Sequence, residues 1–241
     1  MKINVLSFLT GLLIVVLLVA GVMFLKSRKV APVKQLPVTA VAGLHRAFPK
    51  VIGPESAPVK LIEYSDFECP SCRIAQGTIA QVFRDYPGKI QLTYRHFPLT
   101  SHRWSIYAHQ AAECMQIQGK FWPYQDKLYE KQPEWAASKV PPVEMFGRYA
   151  REQGADMNLF TACMGDVAVT RGIYAEKEEG ARNQINATPT FFLGGERFVG
   201  PREMREKGVN AIRRALGLPE FPVVPEPAVP QAKESLPPAK K

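Results

Sequence analysis

Two cysteines stand three positions apart in the stretch LIEYSDFECPSCRIA, at Cys69 and Cys72. A branched, apolar run precedes them and a helical pattern follows, which places the pair at a strand-to-helix turn. Unpaired N–H groups and the helix dipole stabilise an anion there, so we expect a lowered pKa for the Cys69 thiol. Cys72, one turn further on, is within disulfide distance and would be the resolving thiol. Pro70 suits the first helical position because its missing N–H would be unpaired anyway.

Three other uses of this CxxC pattern compete with a redox role. A haem c attachment site has a histidine after the second cysteine, whereas Arg73 follows here. A structural zinc site needs two further ligands, and the remaining cysteines, Cys114 and Cys163, stand singly. Two inert core thiols are the third alternative and stay open at this point. We predict a redox centre that needs no metal and no cofactor.

Hydrophobic patterning predicts an α/β domain around the cysteines. The predicted elements, in chain order, are a strand at 59–64, a helix at 70–85, a strand at 89–97, helices within about 102–184, a strand–turn–strand unit at 190–200 and a helix at about 201–216. The order β-α-β, helices, β-β-α indicates an all-helical subdomain inserted into an α/β domain.

The segment VLSFLTGLLIVVLLVAGVMFL, at 5–25, carries no charge and is long enough for one bilayer crossing as a helix. We predict an N-terminal transmembrane helix, an anchor within 1–25. A cleaved signal peptide is the alternative, since Val19-Ala20-Gly21 weakly resembles a cleavage site. The positive-inside rule alone would place the following domain in the cytoplasm. Disulfide chemistry argues for the other side, and we give it more weight.

The rest of the chain is predicted to comprise four parts: a tether at 26–57, an α/β domain built from 58–100 and 185–217, the helical insertion at 101–184, and a Pro-rich disordered tail at 218–241. The formal net charge is +9. Seven lysines and arginines against one acid fall between Lys26 and Lys60, which favours contact with anionic lipid at the bilayer. No stripe of aromatic and basic residues is present, so nucleic acid is not expected as a partner.

Two paired motifs resemble those of a known family. GPESAPVKLIEYSDFECPSC and TPTFFLGG are similar to motifs of DsbA-like thiol–disulfide oxidoreductases in the thioredoxin superfamily, and the resemblance covers about 48–217. It implies a thioredoxin-like fold with an inserted all-helical subdomain. It also implies that the bond before Pro189 is cis, and that Thr188 and Pro189 lie across from Cys69 and bind the substrate strand. An ordinary trans proline at the start of a strand is the alternative.

The resemblance implies roles for three further residues. Glu63 would be a buried acid that exchanges a proton with Cys72, and an acid on the solvent face of the strand is the alternative. Cys114 and Cys163 would form a structural disulfide, with two unpaired buried thiols as the alternative. Apart from the resemblance, two nearby histidines, His96 and His102, are expected to be ordinary surface or helix-cap residues and not catalytic groups.

As a function, the resemblance implies an extracytoplasmic oxidase that gives its Cys69–Cys72 disulfide to folding proteins. Its partners would be unfolded or partly folded polypeptides with cysteines and a membrane thiol oxidase of DsbB or vitamin K epoxide reductase type. A reductase or isomerase using the same site is the first alternative, because direction depends on the reduction potential. A membrane-tethered binding or chaperone module without catalysis is the second.

Overall fold

The computed structural model describes residues 49–222, which contain a five-stranded mixed sheet. The strands, in chain order, are β1 (Val51–Ile52), β2 (Val59–Ser65), β3 (Ile90–His96), β4 (Thr190–Leu193) and β5 (Glu196–Val199). In the sheet they are arranged β1-β3-β2-β4-β5. β2 and β3 are parallel, and the other three pairs are antiparallel. The central strand is β2, and the loop with the two cysteines follows it directly.

Helices make up most of the remaining described chain. In order they are α1 (Pro70–Asp85), α2 (Ser105–Gln116), α3 (Phe121–Glu130), α4 (Gln132–Ala136), α5 (Val143–Glu152), α6 (Met157–Met164), α7 (Val167–Arg182), α8 (Gly200–Glu203) and α9 (Val209–Ala215). A π-helical segment, Met204–Gly208, joins α8 to α9. The six helices from α2 to α7 all fall between β3 and β4, where the helical insertion is predicted.

The spacing of apolar residues, every second residue in strands and every three to four in helices, explains why these segments form strands and helices. In β3 every second residue is buried, which is the pattern of a strand with one face in the core: Ile90, Leu92, Tyr94 and His96. In α1 the buried face recurs at helical spacing and includes Cys72 and Ile79. Val82 completes that face, and Phe83 is only partly buried.

Two apolar cores meet at the cysteine loop. One core lies between the sheet, α1 and the C-terminal helices, and it contains Leu61 and Phe191. The other fills the helical insertion, and Trp135 and Phe146 are among its largest side chains. Phe67 and both cysteines of the loop belong to this second core. The helical insertion therefore packs directly against the redox centre.

The predicted tether at 26–57 extends too far towards the domain. Residues 51–52 form β1, in which Val51 pairs with Thr93 and Ile52 with Leu92. The Tyr94 N–H also donates to the carbonyl of Lys50 (2.9 Å). This short strand covers the edge of β3, whose N–H and C=O groups would otherwise lack partners in the sheet. Alternation cannot reveal a two-residue strand, so the sequence pattern missed it.

The predicted tail at 218–241 also begins too early. Asn210 of α9 forms two hydrogen bonds with the backbone of Phe221, accepting from its N–H (2.8 Å) and donating to its carbonyl (3.1 Å). The Arg213 guanidinium lies 3.9 Å from the centre of the Phe221 ring. The chain as far as Phe221 is therefore held against α9, although the composition of this stretch is that of a linker.

The predicted anchor within 1–25 and most of the predicted tail lie outside the described residues. Within residues 49–222, no helix combines the length and the apolar character that a bilayer crossing needs.

Two glycines of α7 provide a matched test of the packing between this helix and the sheet. A Cβ at Gly180 would lie 2.8 Å from the Phe97 ring and 3.1 Å from the Tyr64 ring, whereas a Cβ at Gly172 meets nothing within 4 Å. We expect Gly172→Ala to raise the free energy of unfolding by up to about 1 kcal/mol through helix propensity. Gly180→Ala should lower it by about 1–3 kcal/mol because the rings must move. Urea unfolding of both variants measures these changes. An equal rise in the free energy of unfolding of the two variants would contradict the close contact at Gly180.

Candidate active site

Cys69 and Cys72 lie at the junction of β2 and α1. Cys69 is the N-cap residue of α1, and Pro70 occupies the first helical position, as the sequence predicts. Both cysteines are free thiols in the structure. Cys69 is 7% exposed and Cys72 is fully buried. Cys69 is therefore the thiol that an approaching molecule meets first.

The two thiols differ strongly in acidity. A hydrogen bond from the Cys72 thiol lowers the pKa of Cys69 to about 5, against the opposing effect of burial, and the N–H groups of Cys72 and Ser71 at the helix start act in the same direction. Burial, together with the adjacent Cys69 sulfur, raises the pKa of Cys72 well above its usual value. At neutral pH Cys69 is a thiolate and Cys72 is a thiol. This is the arrangement that thiol–disulfide exchange requires of a nucleophile and a resolving group.

The Thr188–Pro189 peptide bond is cis and lies beside Cys69. The Thr188 carbonyl oxygen is 3.4 Å from Cys69 Sγ, close enough to accept a hydrogen bond from the neutral thiol. β4 begins directly afterwards, and the pairing of Thr190 with Tyr64 fixes this segment against β2. Two motifs 119 positions apart in sequence therefore meet at one end of the central strand.

Glu63 is a fully buried acid in the middle of β2. Its register partners, Tyr94 of β3 and Phe191 of β4, lie beside it on the same face of the sheet and are also fully buried, so this face is covered. One carboxyl oxygen accepts a hydrogen bond from Gln76 (3.1 Å), and the other has no hydrogen-bond partner among the described residues. Burial raises the pKa of Glu63 to about 7. The carboxyl group can therefore gain and lose a proton near neutral pH.

Ser65 lies between Glu63 and the buried thiol. Its hydroxyl forms a hydrogen bond of 3.0 Å with the hydroxyl of Tyr129. Burial is the main influence on the pKa of Glu63 and on that of Cys72, and the Ser65 hydroxyl lowers both. One hydroxyl therefore faces the acid and the thiol, and sequence reasoning missed it because serine on a strand has no distinctive signal.

Contacts of Asp66 and Gln132 hold the cysteine loop in place. The Asp66 N–H donates to Cys72 Sγ (3.4 Å). Gln132, from α4, donates to the carbonyls of Phe67 (2.6 Å) and Cys69 (3.0 Å). Burial opposes ionisation of Asp66, but hydrogen bonds from His102 and from the Leu99 N–H hold its pKa well below the usual range. Asp66 directly follows a strand and could have been suspected, whereas nothing in the sequence around Gln132 indicates this contact.

The expectation that His96 is a surface or helix-cap residue is wrong. His96 is the last residue of β3 and is fully buried, with its ring against His109 of α2. Burial, followed by the charge of Lys50, lowers the pKa of His96 to about 4. His102 lies nearer the surface, with 21% of its side chain exposed, and its Nδ1 is 2.8 Å from Asp66 Oδ2. Its hydrogen bond with Asp66 raises the pKa of His102.

Cys114 and Cys163 are joined by a disulfide that links α2 to α6. Both half-cystines are fully buried in the core of the helical insertion. The bridge closes a loop over a sequence separation of 49. On the chain-entropy view such a loop stabilises a fold by about 4 kcal/mol. The alternative of two unpaired thiols does not hold.

Residues 48–210 match the family model described as Thioredoxin, which is more than half of the chain. The chain belongs to that family. Its structure is similar to alpha-DsbA1 of Wolbachia pipientis, with 21% identity, a TM-score of 0.63, and coverage of 70% of this chain and 91% of that one. It is also similar to BdbD of Bacillus subtilis in its oxidised form, with 21% identity, a TM-score of 0.58, and coverage of 68% and 93%.

A thioredoxin-like oxidoreductase of Silicibacter pomeroyi DSS-3 has 25% identity and a TM-score of 0.58, with coverage of 71% of this chain and 94% of that one. The chain thus has the fold of DsbA-type thiol–disulfide oxidoreductases. Among curated proteins it is 34% identical over 152 residues to Na(+)/H(+) antiporter NhaA 3 of Salinispora tropica, which is 63% of this chain and 22% of the antiporter. A Herminiimonas arsenicoxydans antiporter, NhaA, is 31% identical over 70% of this chain and 26% of its own length. The chain spans about a quarter of these curated relatives.

The buried carboxyl of Glu63 makes folding stability depend on pH. Its pKa is about 7 in the folded protein against an ordinary value of 4.5, so this group weakens the fold progressively as the pH rises from about 4.5 to 7 and has no effect well below 4.5. Relative to the unchanged protein, we expect the free energy of unfolding of Glu63→Gln to rise by about 3 kcal/mol between pH 4 and pH 8. Urea unfolding of both dithiol proteins across this range measures the difference, and a difference that does not change with pH would show that Glu63 is not buried as described.

Proposed function

We propose that the protein is an extracytoplasmic thiol–disulfide oxidoreductase that introduces disulfides into folding polypeptides by exchange at Cys69-Pro70-Ser71-Cys72. The observation that carries this proposal is the pair of unequal thiols: an acidic Cys69, the less deeply buried of the two, next to a fully buried Cys72 of high pKa. Their position beside the cis bond of Pro189, in the DsbA-type fold, supports it.

The reaction begins with the oxidised pair. A substrate thiolate attacks Cys69 Sγ, a new sulfur–sulfur bond forms, and the bond between Cys69 and Cys72 breaks. Cys72 leaves with the electron pair and must take up a proton, because its thiolate is unstable in its buried position. Glu63 is suited to supply that proton, since its pKa of about 7 leaves it partly protonated at neutral pH. Ser65, which faces both groups, is placed to pass the proton between them.

The second step releases the product. Another thiolate of the substrate attacks the substrate sulfur of the mixed disulfide, and Cys69 leaves as a thiolate. The substrate has lost two electrons and now has a disulfide, while the protein is left with the Cys69–Cys72 dithiol. A thiol of low pKa leaves faster, so the environment that acidifies Cys69 also accelerates this step.

The direction of exchange follows from the same acidity. Whatever stabilises the Cys69 thiolate stabilises the reduced protein, which makes the oxidised protein a better acceptor of electrons. A Cys69 pKa of about 5 lies below the value of about 7 of the reductant thioredoxin and above that of about 3.5 of the oxidant DsbA. This favours oxidation of substrates over reduction, although Ser71 provides no charge between the cysteines.

Two observations and one chemical requirement support a location outside the cytoplasm and the partners that go with it. The Cys114–Cys163 bridge is of a kind that persists in oxidising compartments. The uncharged segment at 5–25 would hold the domain at a bilayer. Reoxidation of the dithiol requires an electron acceptor, and a membrane thiol oxidase of DsbB or vitamin K epoxide reductase type would lie within reach of a protein anchored in this way.

The direction is tested by equilibrating the Cys69–Cys72 pair with glutathione. We expect a reduction potential nearer to about −120 mV, which is typical of a strong oxidant, than to about −270 mV, which is typical of a reductant. Thiolate absorbance at 240 nm should titrate with a midpoint near pH 5, the pKa of Cys69. A potential near −270 mV would replace the oxidase by the reductase or isomerase alternative.

Catalysis itself is tested with a pair of serine variants. Cys72→Ser keeps the nucleophile but cannot resolve, so it should accumulate mixed disulfides between Cys69 and substrate polypeptides in cells. Cys69→Ser, the matched control, should accumulate none and should fail to restore disulfide formation in a strain that lacks this protein. Full restoration by Cys69→Ser would establish the alternative of a binding or chaperone module.

A further inference from the structure

A row of buried charged and polar side chains runs beneath the cysteine loop, apart from Glu63 and the two cysteines. We call it the buried charge row, and its members are Asp66, His109, His96, Glu113 and Lys50. Successive members contact one another along the row. Lys50 also contacts Glu176 (2.8 Å), and a cavity of about 90 Å³ lies at that end. The other end is Asp66, whose N–H donates to Cys72 Sγ.

The Asp66 carboxylate is held by four hydrogen-bond donors. Oδ1 accepts from the Glu68 N–H (2.8 Å) and the Ser105 hydroxyl (2.7 Å), and Oδ2 accepts from the Leu99 N–H (2.7 Å) and His102 Nδ1 (2.8 Å). Since every contact is a donor to the carboxyl group, Asp66 is ionised. A buried negative charge three positions before Cys69 would disfavour the Cys69 thiolate unless a nearby cation offsets it.

The protons of His96 can be assigned from its two contacts. Its Nε2 lies 2.7 Å from Glu113 Oε1, which also pairs with the ammonium group of Lys50. A carboxylate accepts hydrogen bonds, so His96 Nε2 is the donor there. His96 is neutral, as its low pKa of about 4 indicates, and its Nδ1 is therefore bare and can only accept.

This assignment determines what His109 must donate. The Nδ1 atoms of His96 and His109 lie 2.5 Å apart, and His96 can only accept, so His109 Nδ1 carries a proton. His109 Nε2 lies 3.7 Å from Asp66 Oδ1 and has no hydrogen-bond partner within residues 49–222. In a neutral ring that nitrogen would be a bare lone pair facing a buried carboxylate, which is repulsive. A second proton turns the contact into an ion pair.

We propose that His109 is a buried imidazolium that serves as the counter-cation of Asp66, and that its charge favours the reduced form of the Cys69–Cys72 pair. The second part rests on the proposed function. His109 touches neither sulfur and is a positioning residue that acts through Asp66. The other charged groups at this end of the row are Glu68, a half-buried acid, and His102. Neither of them faces His109 Nε2 in the contacts described.

The sign of the effect follows from electrostatics. The reduced protein carries the Cys69 thiolate, and the oxidised protein carries no charge on either sulfur. A positive charge on His109 partly cancels that of Asp66 in both forms, but only the reduced form has a thiolate that benefits. Loss of the charge should therefore shift the equilibrium with glutathione towards the disulfide and make the protein a weaker oxidant.

The proton on His109 can be observed directly. The full chain has four histidines, so long-range ¹H–¹⁵N spectra of protein labelled at histidine and held in the dithiol form contain few signals. Assignment uses the His109→Gln, His96→Gln and His102→Gln variants. At pH 7 we expect both ring nitrogens of His109 to be protonated and His96 to have one bare nitrogen. A bare nitrogen on His109 overturns the proposal. This readout does not involve exchange, so it stands or fails independently of the proposed function.

The effect on the redox pair is tested with His109→Gln, which keeps an N–H donor towards Asp66 but removes the charge. His96→Gln is the matched control, the same replacement at the neutral neighbour. We expect His109→Gln to shift the glutathione equilibrium roughly five-fold towards the disulfide, and His96→Gln to leave it within about two-fold. Equal shifts in two folded variants, or no shift in His109→Gln, contradict a role for the charge. If His109→Gln does not fold, the ¹⁵N spectrum of the unchanged protein still decides whether His109 is an imidazolium.

Discussion

The hydrogen bonds of the buried Asp66 carboxylate fasten the redox loop to the entrance of the helical insertion. Asp66 follows the end of β2, and its side chain accepts from Leu99 and Ser105, both beyond β3. Its own N–H then points at Cys72. A carboxylate in this position is stable only if several donors surround it. The fold provides them through Glu68, Leu99, His102 and Ser105.

Three buried groups that are close in sequence differ in their acidity. Glu63, Asp66 and Cys72 all lie out of solvent, yet burial raises the pKa of Glu63 and Cys72 while hydrogen-bond donors hold that of Asp66 low. Two donors, Ser65 and Gln76, lower the pKa of Glu63, whereas the Asp66 carboxylate accepts four hydrogen bonds. A difference in the number of donors is enough to make one acid a proton carrier and the other a permanent charge.

Local patterns account for what the sequence predicted well. The boundaries of α1 and β3 follow from apolar spacing, and the cysteines could be identified from their spacing at a strand-to-helix turn. The role of Pro189 was predicted from the resemblance of its motif to that of a known family. Contacts between distant segments account for the rest. The strand β1 exists because the edge of β3 needs a partner. His96 is buried because α2 packs against the end of its strand. Gln132 contacts the loop because the insertion packs against it. No periodicity encodes such contacts.

Gln132 has a consequence for how the two parts of the domain depend on each other. A primary amide has two hydrogens, and here they go to two successive parts of the same loop, the carbonyls of Phe67 and Cys69. An α/β domain cut free of its insertion would leave both carbonyls without the Gln132 amide and the Asp66 carboxylate without the donors of His102 and Ser105. The insertion is therefore not a detachable module, and a minimal version of this protein without it would lose the geometry of its cysteines before it lost its sheet.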